Sequence, residues 1–236
     1  MNEVILSGII KGDFEEVSND GVKFLVLNRG RSGNDADEFI CLAYGGSAGF
    51  LRQHAESGKR VVLQGRLSSE KLDTENYHTA VTVSRILSIA DSSNGLDYSH
   101  ATISGLASSD GLIRLNNKNQ TPLINLNVKN KREYRNADGE VNEYTTFLGG
   151  TLWGRTAEDF DESNSFPLQD VPVVFEGILK PRTYENRDGD TINKIDVWVN
   201  TVNVFSPSSS SERAPAPRAP SQPRKSKAKS ADDSPF

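Results

Sequence analysis

The chain has 236 residues, 35% of them hydrophobic, and a formal net charge of −5. Its mean hydropathy is −0.53, and no apolar run approaches the roughly 18 residues of a membrane span, which argues against a transmembrane protein. The N-terminus, Met1–Val4, lacks a secretory signal pattern, and one cysteine, Cys41, cannot form an internal disulfide. We expect a soluble intracellular protein in which Cys41 is a buried strand residue.

The charge is distributed unevenly along the chain. From Ser206 onward, six lysines and arginines outnumber three acidic residues, so this segment is +3 and the rest of the chain is −8. Its composition of Ser, Pro, Ala, Lys and Arg predicts a disordered tail, 206–231, followed by an acidic interaction tip, 232–236. A body this acidic is unlike a generic nucleic-acid-binding protein, so any such site must be a local basic and aromatic strip.

Short β-branched and aromatic runs separated by turn dipeptides predict strands throughout the body. The turns are Asp20-Gly21, Asp138-Gly139 and Asp188-Gly189. In chain order we expect strands at 4–8, 24–28 and 39–43, a short helix at 47–57, and strands at 61–67 and 79–89. The second half repeats this order, with strands at 101–105, 123–127 and 147–153, a helix at 155–161, and strands at 173–179 and 195–205.

The repeat extends to individual residues, because Val4–Gly8 recurs as Ala101–Gly105 and Tyr44-Gly45 recurs as Trp153-Gly154. Five short strands with a helix after the third are the pattern of an OB-fold barrel. The sequence therefore predicts an all-β protein with two tandem OB-fold barrels, each of five strands plus a short helix. We place the first domain at 1–90, a linker at 91–97 and the second domain at 98–205.

At these residues the chain resembles the bacterial and phage single-stranded DNA-binding protein (SSB) family. Trp153–Glu158 is similar to the aromatic-Gly-Lys-x-Ala-Glu entry to the helix in that family. Gly58–Leu67 resembles the Lys-Gly-x-x-Val-x-Val-Glu-Gly-Arg-Leu strand, and a tail ending in acidic residues and Pro-Phe completes the pattern. The usual family chain has one OB domain and forms a tetramer, so the resemblance implies a homodimer with four OB domains here.

The resemblance implies four base-stacking aromatic residues in the second half, namely Tyr134, Phe147, Trp153 and Tyr184. Single-stranded DNA is held by such stacking and by basic side chains that follow the phosphates. The candidate phosphate contacts interleave with these rings and are Lys129, Lys131, Arg132, Arg135, Lys180, Arg182 and Arg187. The alternative is that Phe147 and Trp153 point into the core, and Trp198 is left unassigned because strand alternation does not tell which of its faces is buried.

The first half departs from the family pattern. The loop 29–37 has no aromatic residue, and Leu72 occupies the position that matches Tyr184. The remaining candidates are Phe39, Tyr44 and Tyr77 for stacking, with Arg29, Arg31, Arg66 and Lys71 for phosphates. Fewer rings predict weaker binding in this half.

The resemblance implies a non-enzymatic protein that binds and protects single-stranded DNA in replication, recombination and repair, in the bacterial cytoplasm or nucleoid. Its partner-binding tip, Asp232, Asp233, Ser234, Pro235 and Phe236, would recruit replication and repair proteins. We expect no cofactor and no metal, because the three histidines have no partners at ligand spacing. Two alternatives stay open, an RNA-binding OB-fold protein and an OB-fold assembly protein that does not bind nucleic acid.

Overall fold

The computed structural model describes residues 1–30, 36–71, 76–91, 95–115, 119–135 and 139–205. Met1–Ser206 forms one compact unit. Its elements in chain order are β1 (Asn2–Val17), β2 (Gly21–Asn28), β3 (Asp37–Ala43), α1 (Gly45–His54), β4 (Arg60–Lys71), β5 (Tyr77–Ala90), β6 (Tyr98–Ser109), β7 (Leu112–Arg114), β8 (Pro122–Arg135), β9 (Val141–Trp153), α2 (Arg155–Ser163), β10 (Leu168–Glu185) and β11 (Thr191–Val204).

The first five strands close into a barrel. β1 pairs with both β2 and β4, β2 pairs with β3, and β4 pairs with β5, all antiparallel, while a short parallel pairing of β3 with β5 completes the circuit. Helix α1 lies between β3 and β4 in the chain, as the sequence predicts. We call residues 1–90 the first half.

The second half, residues 98–205, closes in the same way. β6 pairs with β8 and β10, β8 with β9, and β10 with β11, and a parallel contact of β9 with β11 completes the ring. The all-β fold with OB-type barrels is thus confirmed, with β7 as an additional strand on the edge of β8. The domain and linker boundaries given above remain predictions.

A strand pairing joins the two halves into one sheet. β1 and β6 run antiparallel from the pair Asn2–Ile103 to the pair Ser7–Tyr98. All eleven strands in the described ranges therefore form a continuous hydrogen-bonded sheet. Alternate residues of each strand point inward, and Leu6, Phe24 and Phe175 are among the large side chains that are fully buried in the core.

The helices differ slightly from their predicted bounds. α1 begins at Gly45 rather than at 47 and ends at His54, because Ala55 already has an extended backbone. α2 begins at the predicted Arg155 and continues to Ser163. Gly154 precedes α2 with a φ of +56°, a conformation that glycine adopts without a steric penalty. No helix among the described residues is long and apolar enough to cross a membrane.

The first hairpin turn lies one residue earlier than predicted. The residues with positive φ are Asn19 and Asp20, and Gly21 is already the first residue of β2. Gly21 has a different role, since a Cβ atom there would come within 2.6 Å of the Tyr44 ring. The Asp188-Gly189 turn between β10 and β11 is present as predicted, and Asp138 lies outside the described residues.

Candidate nucleic-acid interface

The pairing of β8 with β9 places Phe147 and Trp153 on the outer face of the second barrel. Along β9, Leu148 and Leu152 are buried, so the odd-numbered residues next to them, which include Phe147 and Trp153, point outward. The side chain of Phe147 is 68% exposed and lies directly opposite Lys129 on β8. Exposure of a ring this large has no packing benefit, so we exclude the alternative that Phe147 belongs to the core.

Trp153 and Trp198 form an aromatic pair on the same face. Their ring centroids are 5.7 Å apart at an interplanar angle of 61°, which is an edge-to-face contact. Trp198 is 42% exposed, whereas its neighbours Val197 and Val199 are buried. The Trp153 Nε1 atom is buried and has no hydrogen-bond partner among the described residues. The exposure of Trp198 between two buried valines shows which face of β11 points outward, a question that the sequence alone left open.

The two tryptophans line a shallow pocket of about 440 Å³ on this face. Its lining also includes Asn125 and Asn127 of β8 and Gly149 of β9. A Cβ atom at Gly149 would overlap the carboxylate of Asp196, so only glycine leaves room for the Asp196 side chain at this position. The pocket is open and is lined by both polar and aromatic side chains, a combination that suits a flat ring with hydrogen-bonding edges.

Cationic side chains lie next to the exposed rings. The Arg132 guanidinium is 5.8 Å from the Tyr134 ring centroid, and the Arg182 guanidinium is 5.4 Å from that of Tyr184. Each pair is two residues apart on one strand, so both members point to the same side. Lys180 Nζ lies 5.1 Å from the Trp198 ring. These cation–π contacts stabilise each ring beside a positive charge.

Three of the predicted phosphate-binding cations are paired with carboxylates. Lys131 Nζ lies 2.8 Å from Glu143, Lys180 Nζ lies 2.7 Å from Asp37, and Arg182 pairs with Asp196. Lys131 lowers the pKa of Glu143 by hydrogen bonding and by its charge. Each cation is thus held on the surface but partly neutralised.

The ends of the long hairpins are exposed. Tyr134 is 44% exposed and Tyr184 is 40% exposed, which agrees with their predicted role as surface rings. Arg135 and Arg187 are also exposed. Both hairpins extend beyond the barrel because β8 pairs with β9, and β10 with β11, along almost their whole lengths.

The first half carries fewer exposed rings, and one prediction there is wrong. Phe39 is 0% exposed and belongs to the barrel core, because strand alternation in β3 turns it inward together with Cys41 and Ala43. Burial also raises the pKa of the Cys41 thiol well above its ordinary value. Phe39 cannot stack on a base, and it is removed from the candidate site.

Two other first-half candidates form a pair like those of the second half. Tyr77 is 55% exposed, and Lys71 Nζ lies 5.3 Å from its ring centroid. The two residues are directly opposite each other on β4 and β5. Arg29 is exposed, and its backbone N–H donates to Asp97. Arg31, Leu72 and the predicted tip, 232–236, lie outside the described residues.

Tyr44 and Arg66 lie at the junction between the halves. The Tyr44 ring packs against Gly21 and is half-buried, and burial raises the pKa of its hydroxyl. Burial also lowers the pKa of the Arg66 guanidinium, with a further contribution from the positive charge of Arg132. Tyr144 of β9 reaches this region, since its hydroxyl donates to the Ser69 carbonyl oxygen at 2.9 Å.

The sequence missed Trp198, Tyr144 and the carboxylates that pair with the cations. Alternation could have linked Tyr144 to the hairpin surface, because it lies directly opposite Arg132 in the register. Asp37 could not have been found, since it meets Lys180 only through the contact between halves. Within the described ranges, no cluster of three or more His, Cys, Asp or Glu residues could hold a metal ion.

The comparisons with known proteins agree with this geometry. No family model matches the chain. The single-stranded DNA-binding protein 2 of Chlorobaculum tepidum is 23% identical over 100 residues, which are 42% of this chain and 66% of that protein. The crystal structure of the wild-type single-stranded DNA-binding protein from Thermus aquaticus superimposes with a TM-score of 0.62 at 16% identity. The superposition covers 95% of this chain and 97% of the Thermus aquaticus chain.

The predicted resemblance to single-stranded DNA-binding proteins is confirmed. A deletion mutant of the Thermus aquaticus protein gives the same TM-score of 0.62 at 15% identity and covers 88% of this chain and 98% of that one. Since nearly the whole length of the Thermus SSB is matched, the two chains share one fold over both barrels. The names of these relatives describe the binding of single-stranded DNA by those proteins.

Proposed function

We propose that this protein binds single-stranded DNA with little sequence preference through the outer face of its second half. The observation that carries the proposal is the ring of Phe147, 68% exposed on a barrel face and opposite Lys129. The Trp153–Trp198 pair continues the same face. Every base has a π-face, so stacking on such rings tolerates any sequence, and each stack contributes about 1–3 kcal/mol.

The phosphates would be neutralised by the cations between these rings. Lys129 of β8 and Lys180 of β10 alternate with buried residues and therefore lie on the outward faces of their strands, and Arg182 shares the face of Lys180. Arg132 lies beside Tyr134 near the exposed end of β8. A positive strip on an acidic body is a local electrostatic feature, which acts over about one Debye length of roughly 10 Å at moderate salt. Binding should therefore weaken as the salt concentration rises.

The first half would bind more weakly. Its exposed ring with an adjacent cation is Tyr77 beside Lys71. Phe39 is unavailable because it is buried, and Tyr44 is half-buried against Gly21. We expect this half to extend the binding path rather than to supply most of the affinity.

The biological role follows from the resemblance to the family. The protein would protect unwound strands during replication, recombination and repair in the bacterial cytoplasm or nucleoid. Residues 232–236 would recruit partner enzymes through their two carboxylates and terminal phenylalanine.

Deleting these five residues should abolish partner binding and leave DNA affinity equal or higher, and a loss of DNA affinity in anisotropy measurements would contradict this role.

The experiment that tests the function is a competition between DNA and RNA. A fluorescently labelled oligo(dT) is bound to the full chain, and anisotropy is followed as unlabelled DNA or RNA of equal length and base order is added at several salt concentrations. We expect DNA of any sequence to compete and the affinity to fall with salt. Preferential competition by RNA would favour an RNA-binding protein, and no binding at low salt would favour an assembly protein.

A further inference from the structure

The junction between the halves contains a small cationic pocket that the base-stacking surface does not explain. The pocket has a volume of about 150 Å³, and its walls include Arg66 of the first half and Lys131, Arg132 and Tyr144 of the second half. The side chain of Asn2 also lines it and is fixed by hydrogen bonds to the backbone of Leu67. Cations from both halves therefore meet at one place.

The charges of this pocket are incompletely balanced. Lys131 is paired with Glu143, but neither Arg66 nor Arg132 forms an ion pair with another residue in the ranges that the structure describes. Burial is the larger cause of the lowered pKa of Arg66, and the positive charge of Arg132 adds to it. Glu70 acts in the opposite direction without a direct contact. Two guanidinium groups that repel each other are a favourable setting for an anion between them.

The surrounding contacts keep the pocket open. Tyr144 donates its hydroxyl hydrogen to the Ser69 carbonyl oxygen at 2.9 Å, so its ring is held across the boundary between β9 and β4. Asn130 donates from its side chain to the carbonyl oxygens of Met1 and Ser104, which fixes the start of β1 beside β8. Tyr144 and Asn130 are thus engaged in structural hydrogen bonds, and the two arginines are available for a ligand.

We propose that Arg66 and Arg132 together bind one backbone phosphate of a single strand that passes from the second half to the first half. This inference rests on the proposed function, because it names the path that the DNA takes between the two barrels. Guanidinium groups bind phosphate oxygens through paired N–H donors, and two such groups from different strands fix both the position and the direction of the backbone. From this phosphate site the bound DNA strand would continue towards Tyr77 and Lys71.

The test compares oligo(dT) of about five nucleotides, near the lower end of the range of roughly 4–16 nucleotides that one OB domain binds, with oligo(dT) of about 30 nucleotides, which exceeds that range. In anisotropy titrations we expect Arg66→Gln to weaken binding of the long oligonucleotide about tenfold, on the scale of one charged hydrogen-bonded contact. The slope of log affinity against log salt should become shallower by about 0.7, the value for one phosphate of a single strand. Binding of the short oligonucleotide should not change.

The matched control is Arg85→Gln, which removes the same charge from an exposed position on β5 and should leave both affinities unchanged. Arg132→Gln is the second variant, because this exposed side chain can be replaced without disturbing the fold. Since both arginines would hold one phosphate, the double variant should lose less than the sum of the single losses.

Different outcomes overturn different claims. If Arg66→Gln behaves like Arg85→Gln while Phe147→Ala weakens binding, the junction site is wrong and the proposed function stands. Equal losses on the short and the long oligonucleotide would overturn the path between halves, and failure of the unaltered chain to bind either length would overturn the proposed function as well.

Discussion

Phe147 and Phe39 are both phenylalanines of a third barrel strand, yet they have opposite environments. Phe147 is 68% exposed, whereas Phe39 is fully buried. The difference follows from strand alternation, since Phe39 shares its face with the buried Cys41 and Phe147 alternates with the buried Leu148. One side chain is therefore available for a ligand, and the other stabilises the barrel.

Replacing Phe147 should affect binding and leave stability unchanged. Loss of one stacked base predicts that Phe147→Ala weakens oligo(dT) binding by about 1–3 kcal/mol. Fluorescence anisotropy measures the affinity, and urea unfolding should give an unchanged midpoint. The matched control is Phe50→Ala, because Phe50 is 46% exposed on α1, away from the surface described above. Equal effects of the two changes would contradict the assignment.

Replacing Phe39 should have the reverse effect. Removal of a fully buried phenylalanine leaves a cavity, so Phe39→Ala should reduce the free energy of unfolding by about 3–5 kcal/mol. Urea unfolding followed by circular dichroism measures this loss. The affinity of the remaining folded protein for oligo(dT) should stay close to that of the unaltered chain, and a selective loss of binding without destabilisation would show that Phe39 contacts DNA.

At the scale of elements, the ends of β3 and β9 occupy equivalent places in the two barrels but differ in their partners. Tyr44 follows β3 and packs against Gly21, and Trp153 ends β9 and packs against the exposed Trp198. Trp153 thus belongs to a continuous stacking face, while Tyr44 is half-buried at the junction. The second half should therefore dominate the affinity.

The matched substitutions Tyr44→Ala and Trp153→Ala test this asymmetry. We expect Trp153→Ala to reduce oligo(dT) affinity about tenfold or more, the equivalent of one lost stack, and Tyr44→Ala to cause a smaller loss. Anisotropy at a fixed salt concentration measures both, and circular dichroism checks that each variant is folded. Comparable losses would show that the two halves contribute equally.

Much of the order of strands and helices could be predicted because it depends on local sequence patterns. The spacing of apolar residues, the turn residues and the recurrence of Val4–Gly8 at Ala101–Gly105 identified two barrels of five strands with a helix after the third. β7 was missed because its three residues are too few to show a period. The outward face of Trp198 was left open since alternation gives two equivalent phases, and only the packed barrel decides between them.

At the scale of the whole molecule, the pairing of β1 with β6 could not be predicted from the repeat. The register from Asn2–Ile103 to Ser7–Tyr98 depends on contacts about 100 residues apart in the chain, for which no local signal exists. The same holds for the ion pair between Asp37 and Lys180. Such tertiary contacts decide which charged side chains lie next to each other, and composition alone does not.

The resemblance to the SSB family implies that the chain forms a homodimer with four barrels. Sedimentation equilibrium should therefore give about twice the chain mass of 25.9 kDa at micromolar concentration. The exposed apolar residues Leu87 and Tyr98 are available for such a contact. A single species with the mass of one chain across the concentration range would rule out the dimer.

The most direct test of the central claim is intrinsic tryptophan fluorescence titrated with oligo(dT) at several salt concentrations. The chain contains two tryptophans, Trp153 and Trp198, and both lie on the proposed stacking face. We predict strong quenching that saturates and that requires more oligonucleotide as salt rises, because bases stack near the indoles and phosphates replace bound counterions. Unchanged fluorescence at low salt would contradict binding of single-stranded DNA on this face.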